Sequence, residues 1–161
     1  MKTETFILRV RGWVPNNETL QVVVHRAAVA AEGKKAAERF EALFAEHGWP
    51  PQWRDTIFDY HHYHSTTHEA LGVYAGRATL LLGGPEGRKV DVAAGDALIL
   101  PVGTGHCRTG ATDDFAVVGA YPEGMEWDIQ TEAPTDAIWA QIRQVPHPDR
   151  DPVTGGAIWA D

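Results

Sequence analysis

Hydrophobic positions along the chain change period near residue 50. Before it, one segment repeats every three to four residues: Ala37, Phe40, Leu43, Phe44 and His47 fall on one side, while Lys34, Lys35, Glu38, Arg39, Glu41 and Glu46 cover the rest. That pattern predicts an amphipathic helix over 34–47, with Gly48 at its C-terminal end and Pro50-Pro51 barring continuation. From 53 to 121 the apolar residues instead form short runs separated by glycine-rich turns, at 54–62, 68–74, 77–82, 89–92, 97–100, 105–108 and 115–121. Two further β-like runs, 6–10 and 20–25, precede the helix on either side of a turn at Pro15-Asn16-Asn17. Many short strands with tight turns and no intervening helices predict an all-β sandwich or barrel, with the helix packed outside. A second short helix is expected at 136–144, followed by an irregular tail from Pro146 to Pro152 that lies along the surface or covers an opening.

Composition narrows the class. The 161 residues suit one domain, 1–161, with its core at about 53–121. A net charge of −8, with no basic run longer than two residues, argues against a nucleic-acid surface. The single Cys107 excludes an internal disulfide and a thiolate zinc site, and suits a reducing compartment. Charges interrupt the apolar N-terminal run Phe6 to Arg11, which therefore reads as neither signal peptide nor membrane span. A cytoplasmic protein with no membrane partner is the expectation.

Chemistry concentrates at His61-His62-Tyr63-His64, with Glu69 and the distant His106. On a strand, His62 and His64 would share one face, and Glu69 would share its face with Leu71 and Val73. Imidazoles and a carboxylate converging among apolar residues suit Fe, Mn, Ni, Co or Zn, and would be costly if left unsatisfied. The glycines of Pro101-Val102-Gly103-Thr104-Gly105 are not a phosphate loop, since no Gly-Lys-Ser/Thr follows. They read as a tight approach that aims His106 inward.

These residues resemble the two motifs of the cupin superfamily. The first, G-x5-H-x-H-x3–4-E-x6-G, is matched by His62, His64, Glu69 and Gly76, with Thr56 where the leading glycine would stand. The second, G-x5-P-x-G-x2-H-x3-N, is matched by Gly95, Pro101, Gly103 and His106, with Gly110 in place of the asparagine. Eighteen residues separate Gly76 from Gly95, a normal spacing, and the resemblance covers about 56–110. It implies a cupin double-stranded β-helix (jelly-roll barrel) and one divalent transition metal held by His62, His64, Glu69 and His106. It also implies a homodimer paired through outer sheet surfaces, with 6–10 or 20–25 contributing.

Other candidates follow from parity. Glu69, if it stands off the metal, and Tyr60, which shares the nominal parity of His62 and His64, are the candidate catalytic residues. Asp59 is ambiguous. His61, Tyr63 and His68 face away and read as packing or surface residues, Cys107 as an inert side chain outside the barrel, and His25 and His47 as structural. Trp49 and Trp53 are expected to anchor the helix to the barrel, and Tyr121, Trp127 and Asp128 are candidates that could line the mouth. Arg108 is open between a surface salt bridge and a contact to an acidic substrate group, while His147, Asp149, Arg150 and Asp151 read as a solvated tail. The function expected is a metal-dependent enzyme acting on a small organic molecule, an oxidoreductase of dioxygenase type ahead of an isomerase or lyase. A non-catalytic small-molecule-binding domain is the alternative from another class.

Overall fold

A computed structural model describes residues 1–159. Among the described residues, nine strands form two antiparallel sheets. The larger has the order β1 (Lys2–Phe6), β2 (Val22–Arg26), β7 (Ala97–Leu100), β4 (Glu69–Ala75), β9 (Ala116–Ala120), β3 (Pro51–Asp55). The smaller has the order β6 (Arg88–Ala93), β5 (Arg77–Leu82), β8 (His106–Ala111). Helices α1 (Lys34–Glu46) and α2 (Asp136–Gln144) complete the fold. Among the described residues, no helix is long and apolar enough to cross a membrane.

The apolar patterning explains the layers. In β5 and β6, Ala78, Leu80, Leu82, Val90 and Val92 point inward, while Arg77, Lys89 and Asp91 remain exposed, so this sheet keeps one wet face. In the larger sheet both faces are covered. Val22, Val24, Leu71, Val73, Leu98, Leu100 and Val117 meet the smaller sheet in one cluster. On the opposite face Val23, Ala70, Ala97, Ile99 and Val118 meet Phe40 and Phe44 of α1, with Trp49 and the tail residues Val153 and Ile158. The unbroken apolar run of β7 follows from this double burial. Gly72 lets α1 lie close to the sheet, since a Cβ there would stand 2.5 Å from the Phe40 ring.

Strand placement differs from the apolar reading at the two edges. The N-terminal strand is Lys2–Phe6 rather than 6–10; Ile7 and Val10 are exposed, and the polar side chains of β1 suit an edge that pairs only with β2. The run expected at 54–62 is replaced by β3, which pairs only with β9. Pro51, which ends the helical stretch, opens this edge strand, where its missing N–H costs no ladder bond.

The tail is not solvated throughout. Asp151 is buried, and its Oδ2 accepts from His25 Nε2 at 2.7 Å, while His25 Nδ1 pairs with the Thr3 hydroxyl at 2.8 Å. His47 Nδ1 donates to the Pro152 carbonyl and Trp49 Nε1 to that of Arg150, so the tail is strapped across α1 and β2. Burial works to raise the Asp151 pKa, but His25 and the backbone N–H groups of Val153 and Thr154 outweigh it and hold the carboxyl below its ordinary 3.8. A depressed folded-state pKa contributes stability above the unfolded value and loses it as pH falls through the folded one. We expect Asp151→Asn to cost about 1–3 kcal/mol near neutral pH, with the deficit shrinking as pH drops below 3.8. Urea denaturation of both proteins across that range measures it, and a pH-independent difference would refute the assignment.

Candidate metal centre

The segment carrying His62 and His64 is not a strand, yet it is fixed by main-chain bonds. Arg108 donates from its backbone N–H to Phe58 and from Nε to Ile57. His62 and His106 form a reciprocal bridge, N–H to O at 3.3 and 2.9 Å, and Tyr63 forms another with Gln130 at 3.0 and 2.9 Å. Gly103 N–H donates to the His64 carbonyl at 2.8 Å. Alternation therefore holds locally through these bridges, and both imidazoles enter the same cavity. His106 opens β8 of the smaller sheet, opposite Leu82, and Glu69 opens β4 of the larger one, opposite Leu100. The site thus draws on both sheets.

Each imidazole is oriented by a backbone carbonyl. Nδ1–H of His62 donates to Tyr60 and that of His106 to Thr104, both at 3.0 Å, and that of His64 to Asp128. This fixes the tautomer and leaves Nε2 as the lone-pair atom. One ligand nitrogen from each of the three histidines can be chosen so that all lie within 4.8 Å of one another, and all three residues are buried. Glu69 lies beside them, with Oε2 3.2 Å from His64 Nε2 and Oε1 3.2 Å from His106 Nε2. Neither His64 Nε2 nor Glu69 Oε1 has a hydrogen-bond partner. Lone pairs converging on one another in a buried site could hold a cation between them. The donor set of three neutral imidazoles and one carboxylate fits a transition metal ion.

For His62 and Glu69 the electrostatics agree with a ligand role. Burial, reinforced by His106, pushes the His62 imidazole down to about 3, which keeps its nitrogen available. Burial would raise Glu69, but His64 and His106 outweigh it and hold the carboxyl below the ordinary range. For His64, burial works downward but the contact with Glu69 outweighs it and raises the imidazole, so a proton shared with Glu69 competes with an ion at this nitrogen. The carboxylate is held from behind: Tyr121 OH donates to Glu69 Oε2 at 3.1 Å and accepts from Trp53 Nε1 at 2.8 Å.

The cavity has a volume of about 220 Å³. Beyond the four polar residues its walls are largely apolar, including Trp53, Ile57, Phe58, Leu71, Tyr121 and Trp127. Tyr121 and Trp127 line it as the sequence suggests. Trp53 does too, and its indole serves the cavity instead of anchoring α1, a task left to Trp49. Gly119 faces Trp53 so closely that a Cβ would collide with the indole ring.

Several other expectations need correction. Tyr60 does not line the cavity; its ring is exposed and stacked on Phe58 at 4.9 Å, because the nominal strand parity does not apply in this loop. Arg108 spends its Nε–H on the Ile57 carbonyl and holds a wall in place instead of facing a ligand. Asp128 lies behind the site. Its carboxylate accepts from Ser65 N–H and Oγ, Thr66 Oγ1 and Gln130 Nε2, which fixes the carbonyl that orients His64. Asp59 is exposed and outside the cavity.

The other histidines lie outside the cavity. His68 is fully buried, with Nδ1 accepting from Val102 N–H and Nε2–H donating to the Pro146 carbonyl, and burial pushes it down to about 4. His61 stands outside the cavity and Tyr63 is buried with Val102 and Ile142. Cys107 is buried outside the cavity, and burial pushes its thiol up.

No family model matches the chain. The uncharacterized protein YjlB of Bacillus subtilis (strain 168) is 37% identical to it over 156 residues, which is 96% of this chain and 92% of that protein.

Proposed function

This chain belongs to the family of the Bacillus subtilis YjlB protein, and for it we propose a cupin-type, metal-dependent enzyme that oxidises a small organic molecule with O2. The observation that carries the metal reading is the set of three carbonyl-oriented imidazoles whose ligand nitrogens converge beside a carboxylate oxygen without a partner. The cupin reading rests on the motif spacing from His62 to His106 and on the two antiparallel sheets that enclose those residues.

Bound here, a divalent Fe, Mn, Ni, Co or Zn ion would supply Lewis acidity and, for its redox-active members, oxygen activation. His62, His64 and His106 present nitrogen lone pairs held in one tautomer by Tyr60, Asp128 and Thr104. Glu69 supplies the compensating negative charge and is kept in place by Tyr121. The apolar walls exclude water and orient the organic substrate.

Oxidation is placed ahead of isomerisation or elimination because, among the described residues, Asp55 is the one carboxylate facing the cavity outside the four ligands. Tyr121 spends its proton on Glu69 and takes one bond from Trp53, and the other side chains that face the cavity beside the four ligands are Asp55, Thr56 and apolar or indole groups. Acid–base chemistry requires a positioned donor or acceptor within reach of the substrate. The test is oxygen consumption by metal-reconstituted protein on a panel of thiols, diketones, aromatic diols and hydroxy acids. Substrate loss that tracks oxygen uptake supports the reading. Turnover that persists without oxygen would replace it with an isomerase or lyase.

A further inference from the structure

The cavity is unusual in what it does not offer. Among the described residues, no lysine or arginine lines it, and its one carboxylate besides Glu69 is Asp55. Three neutral imidazoles, Glu69 and a divalent ion leave about +1, which the exposed Asp55 offsets in part, so the site takes one anionic group at most. A second negative charge on a ligand would face Asp55 with no cation to receive it. Phosphate esters and dicarboxylates are therefore poorly matched.

The rim supplies flat apolar surface close to the ligand nitrogens. Phe58 sets its edge against His62, with centroids 5.1 Å apart and planes at 67°, and Trp127 approaches His64 at 6.2 Å and 75°. Trp127 is also stacked on Tyr121, with planes only 22° apart. Both rim residues are partly open to solvent, Phe58 at 39% and Trp127 at 46%, so a ligand could cover them. The volume of about 220 Å³ lies below the roughly 300–1,000 Å³ typical of drug-sized ligands. That is room for one ring and one chelating group.

Resting on the metal reading above, we propose that the substrate is a small chelator carrying one negative charge at most. Its oxygen donors would be taken up by the ion that His62, His64 and His106 hold, and its flat apolar body lies against Trp127 and Phe58. Trp127 is the specificity residue of this arrangement. Covering one ring at the rim contributes the area of a buried aromatic side chain, on the order of a ten- to hundredfold gain in affinity.

Cobalt(II)-loaded protein, its metal content measured first, is titrated with benzohydroxamate, acetohydroxamate and oxalate, following the cobalt absorption bands. The hydroxamates share one monoanionic head and differ in the ring; oxalate is dianionic and has no body. We expect benzohydroxamate to bind about tenfold or more tightly than acetohydroxamate, and oxalate to bind more weakly than benzohydroxamate. Trp127→Ala, at a partly exposed position, should erase most of the ring's advantage while cobalt content stays the same. Equal binding of the two hydroxamates, preference for oxalate, or an unchanged ring advantage in Trp127→Ala would overturn the proposal and leave the metal site standing. A chain that takes up no cobalt would overturn both.

Discussion

His106→Ala is expected to reduce bound metal from about one ion per chain to less than about a tenth after reconstitution, and to abolish metal-dependent turnover with it. The imidazole supplies one of three converging nitrogens. The main-chain bridge between His106 and His62 survives the substitution because it involves only backbone N–H and C=O groups. The variant should therefore keep its far-ultraviolet circular dichroism while losing the ion. Asp128→Ala should fall between wild type and His106→Ala, because the lost carboxylate loosens the carbonyl that orients His64; outer-shell losses of this kind weaken metal affinity by about 10–100-fold. Tyr60→Phe, which alters a ring outside the cavity, should leave metal content unchanged. Elemental analysis of the three proteins decides it, and full occupancy in His106→Ala would refute the assignment.

Phe40→Ala is expected to have the largest effect on stability. The ring is fully buried on the outer face of the larger sheet, where Gly72 makes room for it and Phe44 lies 5.5 Å away. Truncating a buried phenylalanine costs about 3–5 kcal/mol, because the hole left behind closes only in part. In a chain of this size that corresponds to a fall in Tm of roughly 10 °C. Phe58→Ala, at an exposed ring, should shift Tm far less. The substitution also tests how the site is supported, since β4 carries Gly72 against α1 and opens with Glu69 in the cavity. Calorimetry on both variants makes the comparison, and similar Tm values would show that α1 contributes little to holding the sheet.

The parts of this molecule legible in the sequence are those governed by short-range pattern. β5, β7 and α2 lie where hydrophobic period and turn residues place them, and α1 ends within a residue of expectation. The convergence of His62, His64, Glu69 and His106 was legible because motif spacing encodes it. The stretch 54–62 reads as a strand because its aromatic residues have strand character, whereas its carbonyls at Ile57 and Phe58 are taken by Arg108 rather than by a ladder. Tyr60 falls outside the cavity for the same reason. Trp53, Asp128 and Asp151 acquire their roles from partners 68, 63 and 126 positions away, and no local pattern announces contacts over such distances. A buried-looking aspartate in a proline-rich tail could be suspected only from a need to pair with an isolated buried histidine.

The origin of the ligands in different sheets has a thermodynamic consequence. His106 begins a strand of the smaller sheet and Glu69 one of the larger, and no ladder of backbone hydrogen bonds joins the two there. An ion shared between them would act as a crosslink present only in the folded chain, so its binding energy would be drawn into the unfolding equilibrium. At a free ion concentration a hundred times the dissociation constant, that adds about 2.7 kcal/mol. Heat resistance then becomes a gauge of ion preference: ranking melting temperatures across Fe, Mn, Ni, Co and Zn would order their affinities without any substrate in hand.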